Sequence, residues 1–163
     1  MRPAARFRKQ IGKSEGGQNR LKISTKGRYA LRLMLDLAVH DNGVIPLKEI
    51  AARQEISEKY LEQIITPLSR AGLVKSVRGA QGGYRLAEPP QEVTAGRILR
   101  VMEGELAPVE CAGNAAACGR ADACVTIEVW RRLKEAIDGV VDGITLADLA
   151  ERYRQQGAAE YCI

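Results

Sequence analysis

The chain has 163 residues, of which 45% are hydrophobic and 28% are charged, and its formal net charge is +5. These values predict one globular domain with a real core, plus an appendage. No apolar run approaches the roughly 18 residues of a membrane span, and no apolar secretory segment follows the basic amino terminus. We therefore expect a cytoplasmic protein that contacts no membrane, in which a disulfide framework is disfavoured.

The positive charge is concentrated in the first hundred residues. Residues 1–20 carry six Lys or Arg and one Glu, residues 21–100 carry thirteen basic and eight acidic residues, and residues 101–163 carry six and eleven. Contact with DNA phosphates requires basic surface, so the first hundred residues are the candidate nucleic-acid-binding part. Residues 1–20 show no helical or strand period and predict a disordered basic arm. One interpretation of the arm is that it adds sequence-independent DNA affinity, and the one that we favour is an artefact of the start site or of expression.

A helix is predicted after this arm, with Ser24 or Thr25 as its N-cap and Asn42-Gly43 as its stop. Its apolar residues cover more than one face, which indicates deep burial. His40, the only histidine, lies at the helix end, where capping is a better explanation than a ligand role. A short extended link at 44–45 is expected to follow.

Residues 46–72 predict two short helices joined by a tight turn, which is a helix-turn-helix. Ser57 suits the N-cap of the second helix, and Ile56 lies in a three-residue break. Glu55 occupies a turn position where glycine is common, and a left-handed backbone there would cost about 1 kcal/mol. The apolar positions of the two helices are Leu47, Ile50 and Ala51, then Tyr60, Leu61, Ile64, Ile65 and Leu68.

A small hairpin is predicted beyond Gly72, since residues 73–78 and 84–86 alternate apolar and polar around the sequence GAQGG. A helix-turn-helix followed by such a wing places one helix in the DNA major groove and a basic loop on the flanking backbone. The sequence therefore predicts a mostly α fold with a small β wing, and a DNA-binding function.

The predicted DNA contacts come from three places in this winged helix. They are Lys26 and Arg28 at the start of the first helix, Ser57, Lys59, Tyr60, Glu62 and Gln63 on the recognition helix, and Arg78, Gln81 and Arg85 on the wing. Glu62, one turn into the recognition helix, is expected to accept a hydrogen bond from cytosine N4. Arg78 and Arg85 are expected to hold phosphate or the minor groove.

The chain beyond Pro89-Pro90 predicts a helix from Thr94 to Glu103, a loop, a long helix and a last short helix capped by Thr145. The long helix carries two apolar stripes, of which one can pack on its own domain while the other needs a partner. Val125, Val129, Leu133, Ala136 and Val140 form one stripe, and Ile127, Trp130, Ile137 and Val141 form the other. We predict that the second stripe is a homodimer interface.

The predicted organisation has five parts. They are a disordered basic arm (1–20), a winged helix-turn-helix domain (21–103), a cysteine-bearing loop (104–121), a dimerisation helix (122–143) and a C-terminal helix and tail (144–163).

Three of the four cysteines, Cys111, Cys118 and Cys124, fall within fourteen residues of a polar loop, which is not a core-packing pattern. Thiolates suit iron-sulfur clusters and zinc alike, so the residues alone leave a cluster, a zinc site and a thiol sensor open.

The segments KISTKGRYAL, IAARQEISEKYLEQI and GLVKSVRGAQGGYRL, together with the three-cysteine loop, resemble one family of dimeric winged-helix regulators. That family includes the iron-sulfur cluster assembly regulator, the nitric-oxide-sensing repressor and the cysteine-metabolism repressor. The resemblance covers about Leu21 to Tyr153. It implies a homodimer built on the long helix, a palindromic operator in double-stranded DNA, and an iron-sulfur cluster of the 2Fe-2S type as the sensor.

Two departures from the family concern the fourth ligand of that cluster. Where the assembly regulator has a histidine three residues after the third cysteine, this chain has Ile127, and where some nitric-oxide sensors have a carboxylate on the first helix, it has Arg28. The remaining candidates are Glu128, Cys162, Glu110, Asp122 or a group from the partner subunit.

The leading hypothesis is a homodimeric, sequence-specific transcriptional regulator, a repressor, whose DNA affinity is modulated by an iron-sulfur cluster on the cysteine loop. The alternative keeps the regulator without a cluster and uses the cysteines as a thiol sensor or zinc site. A protein–protein adaptor would not explain the basic half. We predict no enzyme, because the chain has no recognisable nucleophile–base pair, phosphate-cradling loop or paired carboxylates.

Overall fold

The computed structural model describes residues 22–41, 43–79 and 81–159, with side chains to residue 156. The helices are α1 (Thr25–Val39), α2 (Leu47–Gln54), α3 (Glu58–Arg70), α4 (Ala95–Glu103), α5 (Glu110–Gly113), α6 (Ile127–Asp142) and α7 (Leu146–Ala159), and the strands are β1 (Val74–Val77) and β2 (Gly83–Leu86). The predicted mostly α fold with a two-stranded wing is confirmed. The basic arm at 1–20 and Cys162 lie outside the described residues.

Helix α1 forms the centre of the core and packs against α4, α7 and the helix-turn-helix. Ser24 is its N-cap and accepts a hydrogen bond from the Gly27 amide. Leu33 and Met34 are completely buried, as the wide apolar surface of the helix predicted. His40 is the C-cap residue, and its Nδ1 lies 2.9 Å from the Asp36 carbonyl oxygen. The expected capping role of His40 is confirmed.

The turn between α2 and α3 has the backbone that the sequence predicted, with Glu55 at φ 55° and ψ 43°. A buried charge holds the end of α2 in place. Asp36 of α1 is 4% exposed and accepts two hydrogen bonds from Arg53 Nε and Nη2, at 3.0 and 2.7 Å, and one from Gln54 Nε2 at 3.0 Å. A buried carboxylate is stable only when its hydrogen bonds are satisfied, and those of Asp36 come from two residues at the end of α2. These hydrogen bonds therefore fix the end of α2 on α1.

The wing is an antiparallel pair in which Val74 faces Leu86 and Val77 faces Gly83. Ile45 extends it, since its backbone exchanges two hydrogen bonds with Tyr84, at 2.9 and 2.8 Å. Gly83 is required at this crossing, because a Cβ atom there would collide with the Ile45 carbonyl. The extended link at 44–45 therefore joins the helix-turn-helix to the wing.

Two boundaries in the C-terminal part differ from the prediction. Residues 104–126 are not a plain loop, because they contain α5 and two 3₁₀ turns, Ala115–Ala117 and Ala121–Ala123. The long helix begins at Ile127 instead of about Asp122, since Cys124 has extended backbone (φ −90°, ψ 103°) that cannot continue a helix. Helix α7 follows, with Thr145 and Asp148 capping each other.

The burial of the two stripes on α6 differs from the expectation, and the predicted dimer interface stays a prediction. Ile127 is 7% exposed, and Trp130, Ile137 and Val141 are half-buried, so this stripe faces its own chain. The other stripe is exposed to solvent: Val125 90%, Val129 53%, Leu133 44% and Val140 61%. Periodicity showed two stripes but could not show which of them meets α4.

Within the described ranges, no helix is both long enough and apolar enough to cross a bilayer.

Candidate nucleic-acid interface and cysteine segment

The start of α1 and the outer face of α3 together line one shallow surface depression. Its lining residues are Lys26, Lys59, Glu62, Gln63, Thr66, Pro67 and Arg70. Lys26 is far from α3 in sequence, so only the packing of α1 on α3 brings these side chains together. The depression combines cationic groups with hydrogen-bonding side chains, which is the chemistry needed to contact phosphates and base edges.

Arg70 belongs to this surface although the sequence prediction omitted it. It lies on the same face of α3 as Lys59, Gln63 and Thr66, at spacings of three or four residues. The helical period could have identified it. Arg28 lies at the start of α1, exposed, and its Nη2 donates to Thr25 Oγ1 at 3.0 Å.

Ser57 and Tyr60, which are also predicted DNA contacts, stabilise the start of α3. Ser57 Oγ accepts a hydrogen bond from the Tyr60 amide at 3.3 Å, as an N-cap does. The Tyr60 ring packs edge-on against Tyr29, with the ring centroids 5.8 Å apart and the planes at 87°. Because Tyr60 is half-buried, its ring serves the contact between α1 and α3, whereas Lys59, Glu62 and Gln63 are exposed.

The wing presents a second cationic surface. Arg78, Gln81 and Arg85 are all exposed, as the hairpin pattern predicted. The pairing register places Lys75 directly opposite Arg85, so two cations share one face of the wing. Lys75 was missing from the sequence prediction, because the pairing partner of Arg85 depends on the hairpin register.

We call residues 104–126 the cysteine segment. Cys111 lies in α5, Cys118 follows the first 3₁₀ turn, and Cys124 follows the second. All three are half-buried free thiols. Across the described part of the chain, no three Cys, His, Asp or Glu side chains converge in a way that could hold a metal ion. The donor chemistry suits an iron-sulfur cluster, but this arrangement of the donors does not fit one.

The argument for Glu128 as a fourth ligand was wrong. It required Cys124 and Glu128 to lie one helical turn apart, but Cys124 precedes α6 and has extended backbone. The Glu128 carboxylate instead accepts a hydrogen bond from Arg132 at 2.6 Å. Glu110 and Asp122 are exposed side chains in the cysteine segment.

The Cys124 thiol has a distinctive environment. Its Sγ lies 3.2 Å from the Thr126 hydroxyl, and this hydrogen bond lowers the pKa of the Cys124 thiol below its ordinary value. A lower pKa increases the thiolate fraction near neutral pH, and the thiolate is both the nucleophile and the metal ligand.

Ion pairs connect the cysteine segment and α6 to α4. Lys134 of α6 pairs with Glu105 at 3.1 Å and with Asp138 at 2.6 Å. Arg100 of α4 pairs with Asp138 and Asp142, each at 2.6 Å. Hydrogen bonds from Lys134 and Arg100 lower the pKa of Asp138, and those from Arg100 lower the pKa of Asp142. Both carboxylates are therefore held in the charged form against the basic groups.

The sequence matches the family described as "Rrf2: Iron-dependent Transcriptional regulator" over residues 23–152. The HTH-type transcriptional regulator CymR of Bacillus subtilis (strain 168) is 48% identical over 131 residues, which cover 80% of this chain and 90% of that relative. Its solved structure superposes with a TM-score of 0.67 over 80% of this chain and 97% of the other.

Regulators named IscR are similar as well. The HTH-type transcriptional regulator IscR of Aliivibrio salmonicida (strain LFI1238) is 42% identical over 130 residues, covering 79% of this chain and 77% of that relative. A solved structure named T. potens IscR is 47% identical and has a TM-score of 0.65, covering 81% of this chain and 88% of the other.

Proposed function

The chain belongs to the Rrf2 family of transcriptional regulators, and from that premise we propose that it is a homodimeric repressor that binds a palindromic operator in double-stranded DNA. It is not an enzyme, since its relatives are transcriptional regulators. The observation that carries the proposal is the shared surface of Lys26 with the outer face of α3. A protein that binds the chromosome acts in the cytoplasm.

In the proposed complex, α3 enters the major groove and Glu62 and Gln63 face the base edges. Lys59 and Arg70 on the same helix, and Lys26 and Arg28 at the start of α1, contact phosphates. Phosphate contacts supply affinity and register but carry no sequence information, whereas Glu62 is suited to accept from cytosine N4.

The wing lies beside the groove that α3 occupies. Arg78, Gln81 and Arg85, with Lys75 opposite Arg85, face the flanking backbone or minor groove. Their exposure and positive charge support this placement, because an exposed cation approaches phosphate at little desolvation cost.

The homodimer is proposed to form through the exposed apolar stripe of α6. Val129, Leu133 and Val140 are between 44% and 61% exposed, Val125 just before the helix is 90% exposed, and an exposed apolar stripe of this kind marks an association surface. Two-fold pairing through one helix presents two recognition helices, which explains a palindromic operator.

Base readout by Glu62 gives the sharpest test of this proposal. An operator is selected from random duplexes with the wild-type protein, and binding is then measured for every single-base substitution. Glu62→Ala should lose preference at one base pair, worth about 1–3 kcal/mol, while its affinity for random DNA is not reduced. Glu92→Ala, an exposed glutamate outside the proposed interface, is the control and should keep every preference. A Glu62→Ala protein with the full wild-type preference would refute the assignment.

The cysteine segment is the proposed sensor, and iron-sulfur ligation by Cys111, Cys118 and Cys124 stays a prediction. The family description as iron-dependent supports it. The second candidate uses the thiols without a cluster, as a thiol sensor or a zinc site, and the separation of the thiols and the lowered pKa of Cys124 favour its thiol-sensor form. The relative CymR is described as the global cysteine regulator of B. subtilis, a description that names no cluster.

Anaerobic reconstitution separates these candidates. Iron and sulfide retained by wild type, and lost in the triple Cys111→Ala, Cys118→Ala, Cys124→Ala variant, would establish the cluster. Zinc retained with the same dependence would establish a zinc site. Retention of neither metal leaves thiol sensing, which is then measured as the change of operator affinity on oxidation.

A further inference from the structure

The last residue of α4 holds the first turn of α1. Glu103 Oε1 accepts a hydrogen bond from the Ser24 hydroxyl at 2.6 Å and another from the Ser24 backbone amide at 3.1 Å. The same Ser24 hydroxyl accepts from the Gly27 amide at 3.1 Å and so caps α1. Glu103 therefore fixes the orientation of the capping group, and its negative charge lies at the positive end of the α1 dipole.

Gly27 makes room for this contact. It is buried, and a Cβ atom at this position would collide with Glu103 Oε1. The backbone of Gly27 has helical geometry, so glycine is not needed for its φ angle. The absence of a side chain at Gly27 is explained by the closeness of the Glu103 carboxylate.

The first turn of α1 carries part of the proposed DNA surface. Lys26 lines the depression shared with α3, and Arg28 is exposed in the same turn. Fraying of this turn would move both cations. The carboxylate that stabilises the turn is half-buried and is not among the lining residues of the depression.

The cysteine segment begins at the residue after Glu103. Gly104 has a φ of 76°, so the chain turns sharply there, and Leu106 and Ala107 are buried at 2% and 3% exposure. Glu105 contacts α5 closely, since a Cβ atom on Gly113 would lie 2.8 Å from the Glu105 Cδ atom. Seven residues, 104–110, separate Glu103 from Cys111 of α5, and this stretch is anchored by buried Leu106 and Ala107 and by the contact of Glu105 with α5, so a displacement of α5 is transmitted to Glu103.

We propose that Glu103 is a positioning residue that orders the DNA-contacting first turn of α1 and transmits the state of the cysteine segment to it. This inference rests on the proposed DNA-binding function and adds a route of regulation within one protomer. Glu103 itself touches no DNA. When the cysteine segment moves, Glu103 leaves Ser24, the cap of α1 loosens, and Lys26 and Arg28 lose their phosphate contacts.

The first test measures DNA affinity against salt for an operator and for random DNA. Glu103→Ala should weaken both by the same factor, on the order of tenfold, and reduce the slope of log affinity against log salt by roughly one to two units. Base preferences should remain as in wild type, because Glu62 is undisturbed. Glu103→Gln keeps the accepting oxygen and should restore the wild-type slope, and Glu92→Ala is the control.

A double-mutant cycle isolates the contact itself. If Ser24 and Glu103 act as one unit, the double variant Ser24→Ala/Glu103→Ala should lose no more affinity than the worse single variant. Additive losses would show that Glu103 acts independently of Ser24 and would overturn the proposal.

The second test examines transmission and uses a Cys162→Ser background, so that alkylation reaches only the three cysteines of the segment. Amide hydrogen exchange of residues 24–28 is measured before and after alkylation with iodoacetamide. Alkylation should accelerate this exchange severalfold in the background protein. In Glu103→Ala the same amides should already exchange fast, with no further change.

The outcomes separate this inference from the proposed function. Unchanged exchange at residues 24–28 after complete alkylation overturns transmission, whatever the DNA results. Equal affinity and salt slope for Glu103→Ala and Glu92→Ala overturn positioning while leaving DNA binding intact. A wild-type protein that binds neither operator nor random DNA refutes the proposed function, whereas the exchange experiment still tests the contact.

Discussion

The winged helix and α6 bury their apolar residues in different ways. In α3 the whole apolar face, Leu61, Ile64, Ile65 and Leu68, is 0–1% exposed, and it packs on α1 and α4. In α6 only Ile127 is buried, although the helix has two apolar stripes. The winged helix therefore completes its core from its own chain, and even α7 contributes Leu146 and Ala150 to that core. Helix α6 has an apolar surface that the rest of the described chain leaves exposed.

Because the apolar face of α3 is completely buried, the largest loss of stability is expected from a substitution there. Ile64→Ala removes a completely buried side chain and should cost about 2–5 kcal/mol in the free energy of unfolding, since a cavity remains among fixed neighbours. Urea denaturation measures it. Lys59→Ala on the exposed face of the same helix is the control and should change stability by less than about 0.5 kcal/mol. A loss of stability as small as that of Lys59→Ala would show that Ile64 is not buried in the core.

The open stripe of α6 should determine association more than folding. Leu133→Glu places a charge in the middle of that stripe, and a two-fold interface would contain this charge twice. The variant should therefore be monomeric and bind DNA weakly, at half-sites. Sedimentation measures the oligomeric state. Arg131→Ala, exposed on the same helix, should remain dimeric.

Ile137→Glu sharpens the comparison between the two stripes. Ile137 is half-buried against its own chain, so the charge of the introduced glutamate should destabilise the packing of α6 in the monomer as well as any dimer.

For the exposed stripe, a Leu133→Glu protein that still sediments as a dimer would exclude this stripe as the interface.

A smaller effect is expected at the ion pairs that join α6 to the winged helix. The pKa values of Asp138 and Asp142 are lowered, so their contribution to stability is complete above the unfolded pKa of about 4 and is lost as pH falls through the lowered values. Arg100→Met should cost no more than about 1 kcal/mol at pH 6, because the groups are partly exposed. Thermal unfolding of wild type and variant should converge at acidic pH. A constant difference down to pH 2 would mean that these carboxylates are not responsible.

The smallest change in DNA affinity is expected on the wing, where a substitution removes a single phosphate contact. Arg78→Ala should flatten the dependence of log affinity on log salt by roughly one unit and weaken binding equally for all sequences. Arg154→Ala, on α7 and outside the proposed DNA surface, removes the same charge but should leave the slope unaltered. An unaltered slope for Arg78→Ala as well would remove the wing from the interface.

The sequence by itself determined most of the winged helix. The caps at Ser24 and Ser57, the break around Ile56 and the alternation beside the glycines predicted elements whose ends differ from the structure by a few residues or less. These signals are local, since a cap or an alternating strand acts within a few residues of itself. The left-handed backbone of Glu55 was predictable for the same reason.

The tertiary structure alone decided which features meet. The two apolar stripes on α6 are equivalent in the sequence, and only the packing of α6 on the rest of the chain leaves Ile127 buried and Leu133 exposed. The contact of Glu103 with Ser24 joins residues 79 apart in the chain. The sequence near these residues predicts neither the burial of one stripe nor the Glu103–Ser24 contact. Helix packing depends on the shapes of both surfaces that meet, and the periodicity of one segment describes only one of them.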